Sequence, residues 1–449
     1  MNARRIAWSI VALLSLSGTA SGGTCDDPDG RCTGEPCPAE GSCSRDADCP
    51  PGFLCAPSCR PSGCFCDVRY GVWACTDDCA GECYKEPEPT GPRGYTITDL
   101  GTLGGWQASA HAINDHGQIV GEADTGDGYR RAFLWENGVM TDLGLSPSIP
   151  SPYSAAWGIN NFRQIIVRWG SGYSSGLWEN GVVTPLGGVV DPQGNSTAYA
   201  INDAGQIVGS PSFLWQDGVM TYPLPISPRD INNLGQIAGA MHVGSFFHAA
   251  IWNGERVVDL GTLGGNGSGA SAMNDLGQVL GVSERAPPDD QESYAFLWQD
   301  GVMTDLSELA GALVWSAEDI NNCGEVLANG RIYHPDYGFR ILGELIPAEL
   351  RWYWVGGQAI NDLGQIAGVA LLFRPDGTFG LNKAFLLDPT PGDLAPDGAV
   401  DLWDFRIFQN RFSGASPPAS GCRRGDLDGD GDIDFTDFRL FEGLLTGPR

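Results

Sequence analysis

Apolar and polar residues alternate in short runs along most of the chain, and the runs recur. Ala112-Ile-Asn-Asp-His-Gly-Gln-Ile-Val-Gly121 returns as Ala200-Ile-Asn-Asp-Ala-Gly-Gln-Ile-Val-Gly209 and Asp230-Ile-Asn-Asn-Leu-Gly-Gln-Ile-Ala-Gly239, with four more copies beginning at Gly158, Ala272, Asp319 and Ala359. Brief alternating stretches bounded by Asn, Asp and Gly are the pattern of short strands. The repeated Asn114, Asn160, Asn202, Asn232, Asn274, Asn321 and Asn361 stand 46, 42, 30, 42, 47 and 40 residues apart, which is propeller-blade length. A second phrase follows most copies, as in Ala132-Phe-Leu-Trp-Glu-Asn-Gly-Val-Met-Thr-Asp-Leu143 and Ala295-Phe-Leu-Trp-Gln-Asp-Gly-Val-Met-Thr-Asp-Leu306. Asn-Gly or Asp-Gly between apolar runs marks a hairpin, because both central residues of that turn need positive φ. Each unit therefore predicts four strands, one sheet and one blade.

The ends of the array predict how it closes. The seventh unit reaches Ala384-Phe-Leu-Leu387 and enters a Pro-rich stretch without its fourth strand. Thr96-Ile-Thr-Asp-Leu-Gly-Thr-Leu103 copies the fourth-strand phrase Val258-Asp-Leu-Gly-Thr-Leu263 and has no preceding partners. Placing the orphan in the gap leaves neither terminal sheet with a free edge. The expectation is an all-β, seven-bladed β-propeller over residues 95–390.

The flanks differ in character. Arg4 and Arg5 precede the apolar run Ile6 to Leu16 and the small residues Gly18, Thr19 and Ala20, as in a secretory signal peptide over residues 1–22. That run is shorter than the roughly 20 residues of a bilayer span, so no transmembrane span is expected. Twelve of the 14 cysteines fall between Cys25 and Cys83, with no Cys-x-x-Cys pair, so residues 25–84 read as a disulfide-stapled module of undefined connectivity. Cys323 and Cys422 lie far from this cluster, either free or paired with each other. Residues 85–94, with alternating Pro and Glu, read as a linker. Export and disulfides place the protein outside the cell or on its surface, most simply in a bacterium. Composition adds one exclusion: 26 Lys and Arg against 55 Asp and Glu leave a net charge of −29, which repels nucleic acid.

Chemistry is concentrated at the C-terminus, residues 391–449. Asp426-Leu-Asp-Gly-Asp-Gly-Asp-Ile-Asp-Phe-Thr-Asp437 carries carboxylates at loop positions 1, 3, 5, 9 and 12, with Gly431 at the sharp sixth position. This spacing is that of a twelve-residue calcium loop, with Asp426, Asp428, Asp430, Asp434 and Asp437 as ligands and Asp432 offering its backbone carbonyl. An imperfect copy, Asp393 to Asp404, keeps Asp393, Asp397, Asp401 and Asp404 but has Ala395 at the third position, so its occupancy stays open. Each loop leads into an apolar-striped helix, with Leu402, Phe405, Phe408 and Phe412 in one and Phe435, Phe438, Phe441 and Leu445 in the other.

In the ring, Trp135, Trp178, Trp215, Trp252 and Trp298 occupy one equivalent position and read as packing between blades. Trp106, Trp157, Trp315, Trp352 and Trp354 instead precede Ile-Asn strands, in what read as loops crossing between blades, and are the binding candidates. Gly172-Tyr-Ser-Ser-Gly176 fits a nucleophile elbow by letter, but short strands flank it where a helix must follow. The five histidines show no metal spacing. No catalytic residue is assigned.

On the repeated phrase, residues 95–390 resemble the extracellular repeat family named for a His-Ala-Phe signature (HAF repeats), here Arg131-Ala-Phe, Tyr294-Ala-Phe and Lys383-Ala-Phe. The resemblance implies secretion and no defined activity. On the paired loops, each followed by one helix, the last 60 or so residues resemble a dockerin. That resemblance implies docking to a cohesin-like or other cell-surface protein, in a setting of polysaccharide degradation. Loop positions 10 and 11, a small hydroxyl pair in the family, are Leu402-Trp403 and Phe435-Thr436 here. The resulting expectation is a calcium-binding, non-catalytic recognition or scaffold protein, with a glycan among its possible ligands. The alternative is an extracellular carbohydrate-active enzyme or accessory, which needs two acids about 5–10 Å apart in the central funnel.

Overall fold

The computed structural model describes residues 94–144, 151–170, 174–187, 196–287, 292–347, 352–373, 379–414, 416, 418 and 421–445, together with four short strands before them. Those four form two antiparallel pairs, Phe53–Cys55 with Cys83–Lys85 and Cys64–Asp67 with Val72–Cys75. The expected signal peptide, the pairing of the clustered cysteines and the linker up to Arg93 lie outside the described residues.

Seven four-stranded antiparallel sheets make the ring. Blade 1 is Gly104–Ile113, Ile119–Thr125, Arg130–Glu136 and Val139–Asp142, in sheet order from the innermost strand outward. The hairpin turns behave as their residues require: Asn137, Asn180, Asp217 and Asp300 take φ of 53°, 51°, 50° and 52°, each followed by a positive-φ glycine. Blade 7 combines Trp352–Ile360, Ile366–Phe373 and Phe379–Pro389 with Tyr95–Asp99 from the start of the array. Pairings from Phe385↔Asp99 to Pro389↔Tyr95 fix that register. The ring is thus closed by its own beginning.

Cores lie between blades. Phe133, Phe213, Phe296 and Phe385, on the third strands of blades 1, 3, 5 and 7, are fully buried. Leu100, Ala367, Ala384 and Leu386 of blade 7 pack with Ala110, Ile119, Phe133 and Trp135 of blade 1. Trp135, Trp178 and Trp215 are buried in such clusters, and Trp252 and Trp298 pack half-buried against others. Sheets sharing apolar faces, with aromatics buried at the interfaces, explain why the phrase has to repeat.

A C-terminal helix pair, Leu402–Arg411 and Phe435–Leu444, packs around Phe408 and Phe441, whose ring centroids are 5.1 Å apart. Asp401 and Asp434 cap the two helices, each closing a capping box with the Asp three residues on. The cap turns the first helical residue outward. Leu402 is 76% and Phe435 71% exposed, so these two do not join the apolar packing face expected of them. Among the described residues no helix is long and apolar enough to cross a membrane.

Candidate functional site

The Ile-Asn phrase ends each innermost strand, and its Asn builds the centre of the ring. Asn114 Oδ1 accepts the amides of His116 and Gln118 at 3.1 and 3.0 Å. Its Nδ2 donates to Gln118 Oε1 at 2.8 Å and to the Asn160 carbonyl of the next blade at 3.0 Å. The same interblade bond recurs from Asn160, Asn202, Asn232, Asn274 and Asn321, and Asn361 closes the circle on the Asn114 carbonyl. Asn is required because the position must donate twice and also accept while buried.

The next residues form a second ring around a cavity of ≈ 170 Å³. Going round, they are Asp115, Asn161, Asp203, Asn233, Asp275, Asn322 and Asp362, and each backbone amide donates to the following side chain. Side-chain amides separate the acids: Asn161 Nδ2 reaches Asp115 at 2.9 Å and Asp203 at 3.1 Å, and Asn322 Nδ2 reaches Asp275 at 3.2 Å and Asp362 at 2.8 Å. Seven is odd, so one junction joins two acids. It falls between Asp362 and Asp115. Burial, and after it the charge of Asp115, pushes the Asp362 carboxyl up to about 8.

Besides Asp362 and Asp115, Asp230 and Asp319 on the innermost strands are a second candidate pair of acids. Burial raises them to about 6 and about 7. Each carboxylate already accepts two backbone amides, Ile231 and Met273 for Asp230, Ile320 and Ile360 for Asp319, at 2.7 to 2.9 Å. They clip adjacent blades together.

Three residues before the ring Asn, most innermost strands carry a bulge, between Ala110 and Ala112 in blade 1 and between Ala156 and Gly158 in blade 2, for example. The extra residue is His111, Trp157, Tyr199 and Arg229 in blades 1 to 4, and Ser271 and Gln358 in blades 5 and 7. The bulge explains the glycine that closes the phrase. A Cβ on Gly121, Gly239 or Gly281 would meet the innermost strand's carbonyl oxygen at 2.0, 2.0 and 2.2 Å. Sequence reasoning found Trp157 here and missed the others. The signal was present: this residue differs in every copy while small residues mostly flank it.

The five tryptophan candidates do not form a loop rim. Trp106, Trp157, Trp352 and Trp354 sit inside innermost strands, and only Trp315 is in a connection. These strands begin earlier than the phrase, pairing from Gly104↔Thr125 and Trp352↔Leu372. Bulges break the alternation there, so the pattern did not read as strand. Trp106 stands 75% exposed, and Trp315 and Trp354 are exposed too. Trp157 stacks on His111 with centroids 4.2 Å apart.

At the C-terminus the second loop brings its acids together. Oxygens of Asp426, Asp428 and Asp430, and of Asp432, Asp434 and Asp437, lie within 4.8 Å of one another in each group. Asp426 is positioned by the amides of Gly429 and Gly431 and by Arg423, and Asp437 by those of Leu427 and Asp434. Asp432 Oδ1 is shielded from water with no hydrogen-bond partner. Desolvation and the neighbouring acids raise the Asp428 and Asp432 carboxyls. This donor set suits a hard cation. The first loop does not converge in that way. Asp393 and Asp404 are buried and turned onto backbone amides of Asp397, Gly398, Ala395 and Asp401, while Asp397 and Asp401 bond Ala399 and Trp403.

The helix pair is fastened to blade 6. Cys323 and Cys422 form a disulfide, which resolves their open status. Glu325 replaces the Gln of the other six copies, and its buried carboxylate pairs with buried Arg424 and accepts from Tyr337 Oη at 3.0 Å. Burial, the largest single influence, would raise Glu325, yet Arg424, Arg411, His334 and the Asn321 hydrogen bond together outweigh it and hold the carboxyl down at about 2. Arg424 also donates to the Asp393 carbonyl at 3.1 Å and to Tyr95 Oη at 3.4 Å.

No protein-family profile matches the chain, and no curated protein matches it. Among solved structures, virginiamycin B lyase from Staphylococcus aureus aligns at 10% identity over 66% of this chain and 100% of that one, with a TM-score of 0.41. The β-propeller domain of the Trilobed protease from Pyrococcus furiosus aligns at 11% identity over 63% and 96%, with a TM-score of 0.36. YCF48 bound to a D1 peptide aligns at 12% identity over 67% and 99%, with a TM-score of 0.31. None of the three bears on ligand or activity.

Proposed function

We propose that this chain is a secreted, calcium-binding, non-catalytic recognition protein of the HAF-repeat type, whose propeller holds the ligand and whose dockerin-like helix pair docks to a cohesin-like or other cell-surface protein. The observation that carries the reading is the second loop, where six aspartates crowd with one shielded oxygen unpartnered. Carboxylates packed this closely repel unless a cation lies among them, and calcium accepts the irregular, oxygen-only shell they offer. The first loop, with Ala395 at a ligand position and its acids turned onto amides, is assigned a structural role. Outward-facing Leu402 and Phe435, at equivalent places in the two units, supply an apolar contact where the dockerin family has hydroxyls. A non-catalytic ring is supported by the hydrogen bonds that already engage its acids, backbone amides on Asp230 and Asp319, and Asn161, Asn322 and the Asp362 amide on the adjacent Asp115 and Asp362.

Calcium titration by calorimetry is expected to give one site, abolished by Asp428→Ala with Asp430→Ala. Two sites would return the first loop to the ligand list, and no heat would remove the metal. Surface plasmon resonance against a cohesin panel and cell-wall protein, with and without chelator, tests docking. Expression in a bacterium followed by N-terminal sequencing of the medium tests export, with a start near residue 23 expected.

A further inference from the structure

One part of the innermost strands carries side chains that the fold does not use up. His111, Trp157, Tyr199 and Arg229, the bulge residues of blades 1 to 4, join with Arg168 from the second strand of blade 2 in one continuous stack. His111 lies on Trp157 at 4.2 Å with 22° between the planes. The Arg168 guanidinium sits 4.3 Å from the Trp157 centroid and 5.5 Å from that of Tyr199, and Arg229 lies 4.9 Å from Tyr199 on the same ring. Guanidinium planes laid on aromatic faces are preorganised, with their N–H edges left to recognise something else.

Among the described residues those edges meet no anion. Arg168 Nε donates to the Ala198 carbonyl at 2.9 Å and Nη2 donates to the same oxygen, which leaves Nη1. Arg229 is exposed, and its contact among the described residues is the Tyr199 face. Neither arginine has a carboxylate partner there, although the chain holds 55 acids to 26 bases; Arg130, Arg131, Arg163, Arg285, Arg423 and Arg424 do, and unlike the other arginines without an ion pair among the described residues these two share an aromatic ring. The adjacent Asp230 is turned away onto the Ile231 and Met273 amides. Two like charges are therefore held on one ring without a counter-ion among the described residues, and burial, followed by Arg229, disfavours the charge on Arg168.

We propose that Arg168 and Arg229, held edge-out by Trp157 and Tyr199, form an oxyanion site on the propeller's innermost strands that takes a small carboxylate ligand. A carboxylate matches the Arg229 guanidinium fork with two parallel hydrogen bonds, accepts a further one from Arg168 Nη1, and supplies the missing charge. The net charge of −29 works against a polyanion and sets the size: one local carboxylate on a compact molecule. This deepens the reading of the propeller as the ligand-holding part and is independent of the calcium loop.

Calorimetric titration of the whole chain at pH 7 and low salt, with benzoate and with glucuronate as probes, tests it. At least one acid is expected to bind, and benzamide and glucose, their uncharged counterparts, to bind at least tenfold more weakly. Which acid binds identifies an aromatic or a sugar acid as the source. Arg229→Gln, at an exposed position, is expected to weaken binding at least tenfold and Arg229→Lys by less. Binding of neither acid, equal binding of the uncharged counterparts, or unchanged affinity in Arg229→Gln would overturn the proposal. Asp428→Ala with Asp430→Ala leaves acid affinity unchanged, so loss of calcium binding and loss of this site are separately visible.

Discussion

At the scale of single residues, the seven ring asparagines show why one side chain is demanded seven times. Each donates twice inside the protein, and all but Asn202, which accepts one amide, also accept twice, whereas aspartate of the same shape can only accept. Asn202→Asp would set an oxygen against the Asn232 carbonyl and Gln206 Oε1, now 2.9 and 2.8 Å from Nδ2. Urea unfolding is expected to show a loss of at least about 2 kcal/mol. Asn253 only accepts, from the amides of Glu255 and Arg256, so Asn253→Asp is expected to stay within about 0.5 kcal/mol. The phrase-ending glycine is equally bound to its place. Gly281→Ala puts a methyl 2.2 Å from the Gly269 oxygen and has to move backbone, at a cost of about 1–3 kcal/mol.

At the scale of elements, the odd number of blades sets a problem that an even ring of alternating acids and amides would not have. The unmatched junction, Asp362 against Asp115, sits where the last blade meets the first. A carboxyl raised from its ordinary 3.8 to about 8 contributes fully to stability below the lower value and loses that contribution as pH climbs to the upper one. Asp362→Asn should melt with the wild type at pH 4 and on the order of 2–5 °C above it at pH 9. An offset independent of pH would show that the junction carries no proton. Much of this architecture was legible beforehand: blade length from the Asn spacing, and closure from Thr96 to Leu103 matching the gap after Leu387. The bulges were not legible, because one added residue leaves the repeated phrase intact and only shifts the phase ahead of it. Trp106, Trp157, Trp352 and Trp354 therefore read as loop. Leu402 and Phe435 were misread for a related reason, since helical spacing places them on the apolar stripe while the capping turn ahead of them faces them outward.

At the scale of the whole molecule, the tail is continuous with the ring through two departures in a single copy, Cys323 and Glu325, answered by Cys422 and Arg424. Both departures were visible as letters, but their partners lie 99 residues on, beyond any local pattern. The depressed Glu325 carboxyl contributes stability in full above its ordinary 4.5 and loses it as pH falls through about 2. The fastening should hold at pH 5 and weaken steeply toward pH 2, read as protease sensitivity after Pro389. Arg424→Met leaves the buried Glu325 carboxylate without its ion-pair partner and is expected to cost about 3–5 kcal/mol, most of it recovered by adding Glu325→Gln. The final blade also has a consequence for biosynthesis. Because the strand made first completes the blade made last, a ribosome must finish past residue 389 before any closed ring exists, and a chain cut short anywhere upstream keeps an open edge that proteases and chaperones can recognise. Moving Tyr95 to Leu103 behind Pro389, in a chain begun at Gly104, would abolish that wait and let the blades complete in the order they are synthesised.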